Sequence, residues 1–529
     1  MNRNSNFSGS AIGGFWNVTH LKVTIATICI FVVSLIGAAS VSAKTHYVDA
    51  TLKSDCVDGQ YNLDSRSCNG SNGNAYNTLQ KAVNVAQPDD TILVRGAVWS
   101  ENGIVISDKA ANLTIKAYSG EKPVIDNNTP DGSVNEYAKI IYIKDTEGVI
   151  IDGLELREWS TGLYIHNSSN CTVRNVVISK MYGAVLQVIN SPHTLIEDNE
   201  FSNGVYKRYL WNQARDSKYK APWAGMIGFK YGSNDSIIRR NVIRDSYWEG
   251  LDIGRCIKNV LVEYNEIYGN SQLQLYILNN RNNTIRYNMI YGTERPDYEP
   301  KPGFRPGGYG QGIWLSMEDH PECSSSEFDG WHKVYGNLVA NTKINFWVNT
   351  QKDTSGQFYP INGIEVYNNT FIGGRKQNIN FASQVGSNHV FKNNIIWANG
   401  DGVITNAIPS GKVSADYNLW SSAPDPDIIG PHDPPYGPPQ LRKTIGWDKL
   451  ESGELRSSDF AINGISPGVN NGLALQQTYK DILDVDQSDF NTKSFILKDQ
   501  TTSGDGWEIG ADVFLIDPPV LKIKKSPTG

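Results

Sequence analysis

Cysteine is scarce in this chain, with six in 529 residues, and none stands at metal-ligand spacing. Cys29 lies in the first 43 residues. Cys56 and Cys68 sit twelve apart in a loop rich in Gly, Asn and Asp, and pairing between them is open to an exported protein. Cys171, Cys256 and Cys323 are scattered and read as small buried hydrophobes. A positive excess is missing too. The formal charge is −7, which argues against a general nucleic-acid binder. Long apolar runs are absent after residue 43. The run Val23 to Ala43 follows Arg3 and Lys22 and ends Val41-Ser42-Ala43. That order of basic start, apolar middle and small-residue end marks residues 1–43 as a signal peptide, with Lys44 opening the mature chain. The small, polar end of the run favours cleavage over an uncleaved anchor. No cysteine stands there to take a lipid. Residues 1–43 hold two positive charges and no acid, so the mature chain carries −9. A secreted, periplasmic or cell-surface protein is expected, without membrane contact after cleavage.

Uninterrupted helical runs are also lacking, since Gly or Asn recurs every few residues from Ile140 on. What is present is a repeat of the form apolar-x-x-Asn-x-apolar. Its fourth position falls on Leu154, Val176, Asn199, Asn241, Asn265, Asn288, Asn337, Asn369, Asn394 and Asn418. The basic step is 22 to 25 residues, with three enlarged steps of 42, 49 and 32. Leucine-rich repeats share this period, but their Leu-x-x-Leu-x-Leu spacing is missing. Short alternating segments such as Leu251-Asp252-Ile253 read as strands. The pattern therefore predicts an all-β solenoid, a right-handed parallel β-helix with three short strands per turn. Asn suits the corner because it tolerates the left-handed region, and stacked Asn side chains hydrogen-bond along the axis. Before the repeats, Thr78–Ala86 has helical spacing and Pro88-Asp89-Asp90 stops it. It reads as an N-terminal capping helix over the open end of the stack.

The Thr78–Ala86 segment with Pro88-Asp-Asp-Thr-Ile-Leu-Val, the Asn-bearing coils, and the tail motifs Gly464-Ile-Ser-Pro467 and Trp507-Glu-Ile-Gly510-Ala-Asp512 resemble the pectin-lyase-like superfamily of right-handed parallel β-helices. The resemblance runs from about Tyr47 to Phe514. It implies the fold, but no single activity, because this fold hosts lyases, hydrolases, epimerases and non-catalytic spikes. The expected organisation is a signal peptide at 1–43, a cap and first coils at 44–139, repeats at 140–420, and a tail at 421–529 packed on the coils.

The enlarged steps place a working face. Insertions Gly204–Trp223 and Thr293–Gly310 precede one strand column, and Asp319–Trp331 and Gln351–Ile361 follow it. Loops on both edges of a column make walls and turn the column into a groove floor. Tyr164, Gln187, Lys230, Asp252, Tyr276, Trp314 and Trp347 read as its outward residues, about 4.8 Å apart from coil to coil. Between Val205 and Lys258 eleven Lys/Arg face five acids. Lys207, Arg208, Trp211 and Lys218 lie in the first wall loop, and Trp314 and Trp347 on the floor. An acidic polysaccharide fits this mixture of bases and rings; nucleic acid does not suit an exported acidic protein. A monomer is expected.

Ile227-Gly-Phe-Lys230-x-x-x-Asn234, followed by Arg240-Asn241-x-Ile-Arg244-Asp245-Ser246, resembles part of the alginate-lyase and chondroitinase-B-like family. The resemblance implies β-elimination on a uronate chain, with Lys230 as base and Arg255, after a one-residue shift, as its helper. Two acidic calcium ligands precede the Lys in that family. Trp223 and Gly225 stand there in this sequence, so no cofactor is assigned and calcium stays an open question. Glu249 and Asp252 offer a second reading as acid and base of a hydrolase. Tyr276 and His320 are the next candidates for the base, and Glu318-Asp319-His320 enters a wall loop. The functional expectation is a polysaccharide lyase. The alternatives are a non-catalytic glycan-binding or surface spike protein and a uronate C5-epimerase.

Overall fold

The structure, a computed structural model, describes residues 42–512 apart from 108–109, 129–137, 207–224, 294–308, 319–322, 324–326, 353–355, 357, 399–408, 423, 425–427, 444, 446–454 and 504–505. Most of the expected signal segment, Lys207, Arg208, Trp211, Lys218, Trp223 and His320 lie outside the described residues.

One coil shows how the sequence builds all of them. Leu261–Glu263, Glu266–Tyr268 and Leu273–Arg281 are three successive strands, one for each side of the solenoid. Each strand pairs in parallel with its equivalent one coil before and one coil after. Three parallel sheets of fourteen, twelve and ten strands result. The motif apolar-x-x-Asn-x-apolar is the corner between the first two sheets. Val262 points inward from the first sheet and Ile267 from the second, and both are fully buried. Inward residues stack in register, so Ile196, Ile238, Val262, Ile285 and Val334 form one column of fully buried side chains. Each contributes roughly 1.5–3 kcal/mol on burial, and the length of the column supplies the core.

The Asn residues form one continuous ladder. Asn199 Nδ2 donates to Asn241 Oδ1 (2.9 Å), Asn241 to Asn265 (2.9 Å), Asn265 to Asn288 (3.0 Å) and Asn288 to Asn337 (3.0 Å). The series continues through Asn369 and Asn394 to Asn418. Each oxygen also accepts a backbone N–H from the coil before, as Asn265 Oδ1 does from Asn241 N (3.0 Å). The left-handed residue at this corner is not the ladder Asn. It is the residue before it: Asp198 (φ 61°), Arg240 (55°), Tyr264 (56°) and Tyr287 (55°) among them. Asn is needed here for its buried amide, and the turn itself is made by its neighbour.

A helix spans Leu79–Val85, with Leu79, Ala82 and Val83 buried and Thr78 accepting from Lys81 N at its start. Beside it lies Ile104–Ile106, the first strand of the ten-stranded sheet. Gln80 meets that edge: its Oε1 accepts from Val105 N (2.6 Å), and its Nε2 donates to Val105 O (3.3 Å). At the other end the tail folds back along the coils. Phe460, Leu483 and Val485 join Tyr287, Leu338 and Ile372 in a second core. Gly510 N donates to Asn393 O (2.7 Å), and Ala511 N to Thr370 Oγ1 (2.9 Å). The Cys56–Cys68 pair is disulfide-bonded. Cys256 and Cys323 are not lone hydrophobes as the sequence suggested; they form a second disulfide. Cys171 stays free and buried.

Two predictions follow from these contacts. Asn265→Ala strands the N–H of Asn241, removes one of three acceptors from its Nδ2, and takes the side-chain donor from Asn288 Oδ1, which keeps the backbone N–H of residue 265. It should lower unfolding free energy by roughly 2–4 kcal/mol in denaturant titration; a loss under about 0.5 kcal/mol would show that the ladder does not hold the coils together. The second concerns Asp512, which is buried and accepts from Ile462 N and Val485 N. Burial holds its carboxyl well above the ordinary range, against the effect of those bonds. The folded state thus binds this proton more tightly than the unfolded chain, and its contribution to stability fades as pH rises through the folded value. Asp512→Asn should gain stability on the parent as pH rises above the ordinary carboxylate range and through the raised folded value, read as the difference in Tm. A constant difference would contradict this.

Candidate functional site

A cleft of about 420 Å³ opens over the ten-stranded sheet. Its floor is built from Ile227–Lys230, Glu249–Lys258, Leu273–Arg281 and Gln311–Met317. Strand register fixes the central outward column as Gly228, Asp252, Tyr276, Trp314 and Trp347. Lys230 is therefore not in that column, as the sequence had suggested. It stands two residues farther along its strand and reaches back, its Nζ 3.7 Å from Asp252 Oδ2. Lys230 is also less open than expected, with its side chain 16% exposed.

Glycines make room for Asp252. A Cβ on Gly225 would lie 2.6 Å from Asp252 Cβ, and one on Gly254 would lie 2.9 Å from Asp252 Oδ1. So held, Asp252 is buried, and its Oδ1 has no hydrogen-bond partner among the described residues. Burial pushes its pKa upward, and the charges of Lys230 and Arg255 oppose the shift.

Arg255 owes its place to a β-bulge. The strand pairs Gly254 with Leu278 and next pairs Ile257 with Asn280, so one extra residue is taken in. Arg255 (φ 54°) and Cys256 (φ 62°) absorb it in the left-handed region, the local distortion that re-aims side chains at working edges. Arg255 lines the cleft and donates to Tyr231 Oη (3.1 Å). Cys256 ties the bulge to Cys323 in the loop after Gln311–Met317.

Tyr276 is buried at the cleft floor and donates its hydroxyl to Glu318 Oε1. Gln351 Nε2 donates to the same oxygen (2.8 Å). Asn279 fixes the Glu318 backbone through both its N–H and its carbonyl, each at 2.8 Å. Burial and the Glu318 charge hold the Tyr276 phenol well above its ordinary pKa. Burial raises the Glu318 carboxyl too, against the Tyr276 bond. Beyond Tyr276 the rings of Trp314 and Trp347 stack at 4.4 Å and 10°.

The sheet thus brings Lys230, Asp252, Arg255 and Tyr276 into one cleft, with Trp314 beside them. Glu249 lines it as well. Glu318, expected only to enter a wall loop, is the partner of Tyr276. Asp252 faces two cations, Gly225 offers no side-chain oxygen, and among the described residues no three His, Cys, Asp or Glu side chains converge. Sequence reasoning missed the Tyr276–Glu318 bond and the bulge. The usable signal was a cysteine inside the floor strand of a chain expected to be exported, with a second one in the loop that follows Gln311–Met317.

A family model described as right handed beta helix region matches residues 139–294 and 213–331. The chain is similar to the crystal structure of pectate lyase Pel9A, at 15% identity and a TM-score of 0.51, over 90% of this chain and 97% of that one. Other similar structures are the AlgE4 A-module, a mannuronan C-5 epimerase of Azotobacter vinelandii (14% identity, TM-score 0.32, 66% and 89% covered), and PfbA, a surface adhesin of Streptococcus pneumoniae (14%, 0.41, 64% and 84%). No curated protein sequence matches. Among the described residues no helix is long and apolar enough to cross a membrane. At 15% identity the likeness to Pel9A is one of fold, and with the matched region and the three stacked sheets it identifies the chain as having a right-handed parallel β-helix fold.

Proposed function

We propose that this protein, once exported, binds an acidic polysaccharide along the ten-stranded sheet and cleaves it by β-elimination above Asp252. The observation that carries the reading is a cleft holding two cations, Lys230 and Arg255, around a carboxyl that burial pushes toward its protonated form. A uronate carboxylate entering there meets Arg255, which offsets the charge that builds up as the neighbouring C–H bond breaks. Lys230, in its unprotonated form, takes that proton. The released electron pair forms the C=C bond and expels the glycosidic oxygen. Tyr276 keeps its proton over a wide pH range and sits one coil on; its O–H rests on Glu318 and turns from it to the leaving oxygen, to which it gives its proton. Trp314 and Trp347 give the neighbouring sugars an aromatic surface.

Hydrolysis has its own support. Asp252 and Glu318 are both shifted toward the protonated form, as a general acid requires. Elimination creates an ultraviolet chromophore, whereas hydrolysis creates new chain ends without one. On a panel of uronate polymers the protein should produce the absorbing product. Lys230→Ala should cut its rate by at least about a hundredfold while Tm stays near that of the parent. Arg255→Ala should slow it as well. A Lys230→Ala protein working at the parent rate would remove Lys230 as the base, and new chain ends without absorbance would replace elimination with hydrolysis.

A further inference from the structure

The same sheet carries a second polar and aromatic cluster away from the cleft. It lies on Lys139–Lys144 and Thr161–His166. Tyr142 pairs in register with Tyr164, and that column continues through Gln187 and Gly228 to Asp252. Tyr164 is thus three strand steps from Asp252, about 14 Å, and Tyr142 four steps, about 19 Å. The two tyrosine rings meet edge to face at 5.3 Å. Lys139 Nζ stands over both, 5.2 Å from the Tyr142 centroid and 4.9 Å from that of Tyr164. Lys144 Nζ is 5.9 Å from the Tyr142 ring, and His166 Nδ1 is 3.4 Å from Tyr142 Oη.

The cations here are handled differently from those on the first sheet. There Arg174 bonds Asp152 (2.9 Å), and Arg239 and Arg240 both bond Glu197 (2.8 Å each). Among the described residues neither Lys139 nor Lys144 has a carboxylate partner; the neighbouring Asp145 accepts from Asn167 (3.0 Å). Lys139 is half-buried, and burial lowers its pKa. An ammonium stripped of part of its water, over ring faces and without a counter-ion, gains more from an incoming anion than a solvated one does. Between the cluster and the cleft the column stays low. Gln187 is buried, with its amide turned to Gly225 O (3.4 Å), and Gly228 adds no side chain. Among the described residues the column from one site to the other carries no tall side chain at Gln187 or Gly228.

We infer that Lys139, Tyr142, Tyr164 and His166 form a remote anchoring subsite for a carboxylated sugar, three to four residues along the chain from the sugar at Asp252. The inference rests on the polysaccharide reading above. One ring of a 1,4-linked chain advances by roughly one coil, so the two sites are filled together only by a long substrate. This makes the protein one that grips the interior of long chains.

Calorimetric titration of the full mature chain tests it, in the Lys230→Ala background so that no turnover intervenes. The probes are galacturonate and mannuronate oligomers of four and eight sugars. Adding Lys139→Ala with Tyr142→Ala should weaken binding of a bound eight-sugar oligomer by about tenfold or more and change that of the four-sugar one by less than about twofold. Equal weakening of both lengths, an unchanged eight-sugar affinity, or no eight-sugar binding by the Lys230→Ala parent would each overturn the subsite. Length-dependent weakening in the Lys230→Ala background, together with no unsaturated product from the protein with Lys230 intact, would uphold the anchor and sink elimination alone.

Discussion

A side-chain amide buried away from water needs partners for its donors and its acceptor, and each one left unmet costs on the order of 1–3 kcal/mol. The ladder from Asn199 to Asn418 meets this demand by giving every amide to the next coil. That solution works only if the coils keep a common phase, so the corner fixes the stacking of the whole solenoid. The ladder also has to stop. At its far end Asn418 N donates to Asp433 Oδ1 (2.7 Å), and Trp420 Nε1 donates to Asp433 Oδ2 (2.9 Å). A carboxylate has acceptors and, when ionised, no donor to pass on. It ends a chain of donors without requiring another coil.

A fixed phase on one corner frees the opposite sheet. The insertions leave and return at the edges of the ten-stranded sheet, and the interior columns hardly register them: Ile285 still meets Val334 in register across the largest step between coils. What the insertions change is the surface over the floor. The result is a strip of one outward residue per coil, which passes from Tyr142 and Tyr164 through the low stretch at Gly228 to the ionisable cleft and on to the stacked tryptophans. The same strip is unequal in polarity, with lysines that have no carboxylate partner among the described residues at one end and carboxyls pushed toward neutrality at its centre.

The parts of this design readable in the sequence are those imposed equally on every coil. Asn265 and Asn288 repeat because the corner chemistry repeats, and Thr78 with Pro88 brackets a helix by local rules. Asp252 and Tyr276 lie 24 apart, so the base period places them in one column; Trp314 and Trp347 follow at steps of 38 and 33 and keep that column across insertions. Lys230 was assigned to that column wrongly because an insertion precedes it. A strand that re-enters after a long loop can pair two residues early or late, and nothing in Ile227–Lys230 itself settles which. The Tyr276–Glu318 bond joins residues 42 apart, and the Cys256–Cys323 bridge joins residues 67 apart. Such pairings depend on where loops return in space. The left-handed corner was read onto the wrong residue for another reason: Asn suits both roles, and only the structure separates the amide's work from the turn's.

The bulge at Gly254 bears on how such a protein changes over time. Side chains of a strand alternate between interior and surface, so one added residue would normally send every following core residue outward. Here Arg255 and Cys256 take up the addition, and Ile257 returns to the interior fully buried. The coil can gain a residue and come back into phase within two positions. Substitution and insertion on the floor are therefore uncoupled from the interior columns. A lineage built on this coil could alter which groups meet its polymer while its core stays as it was.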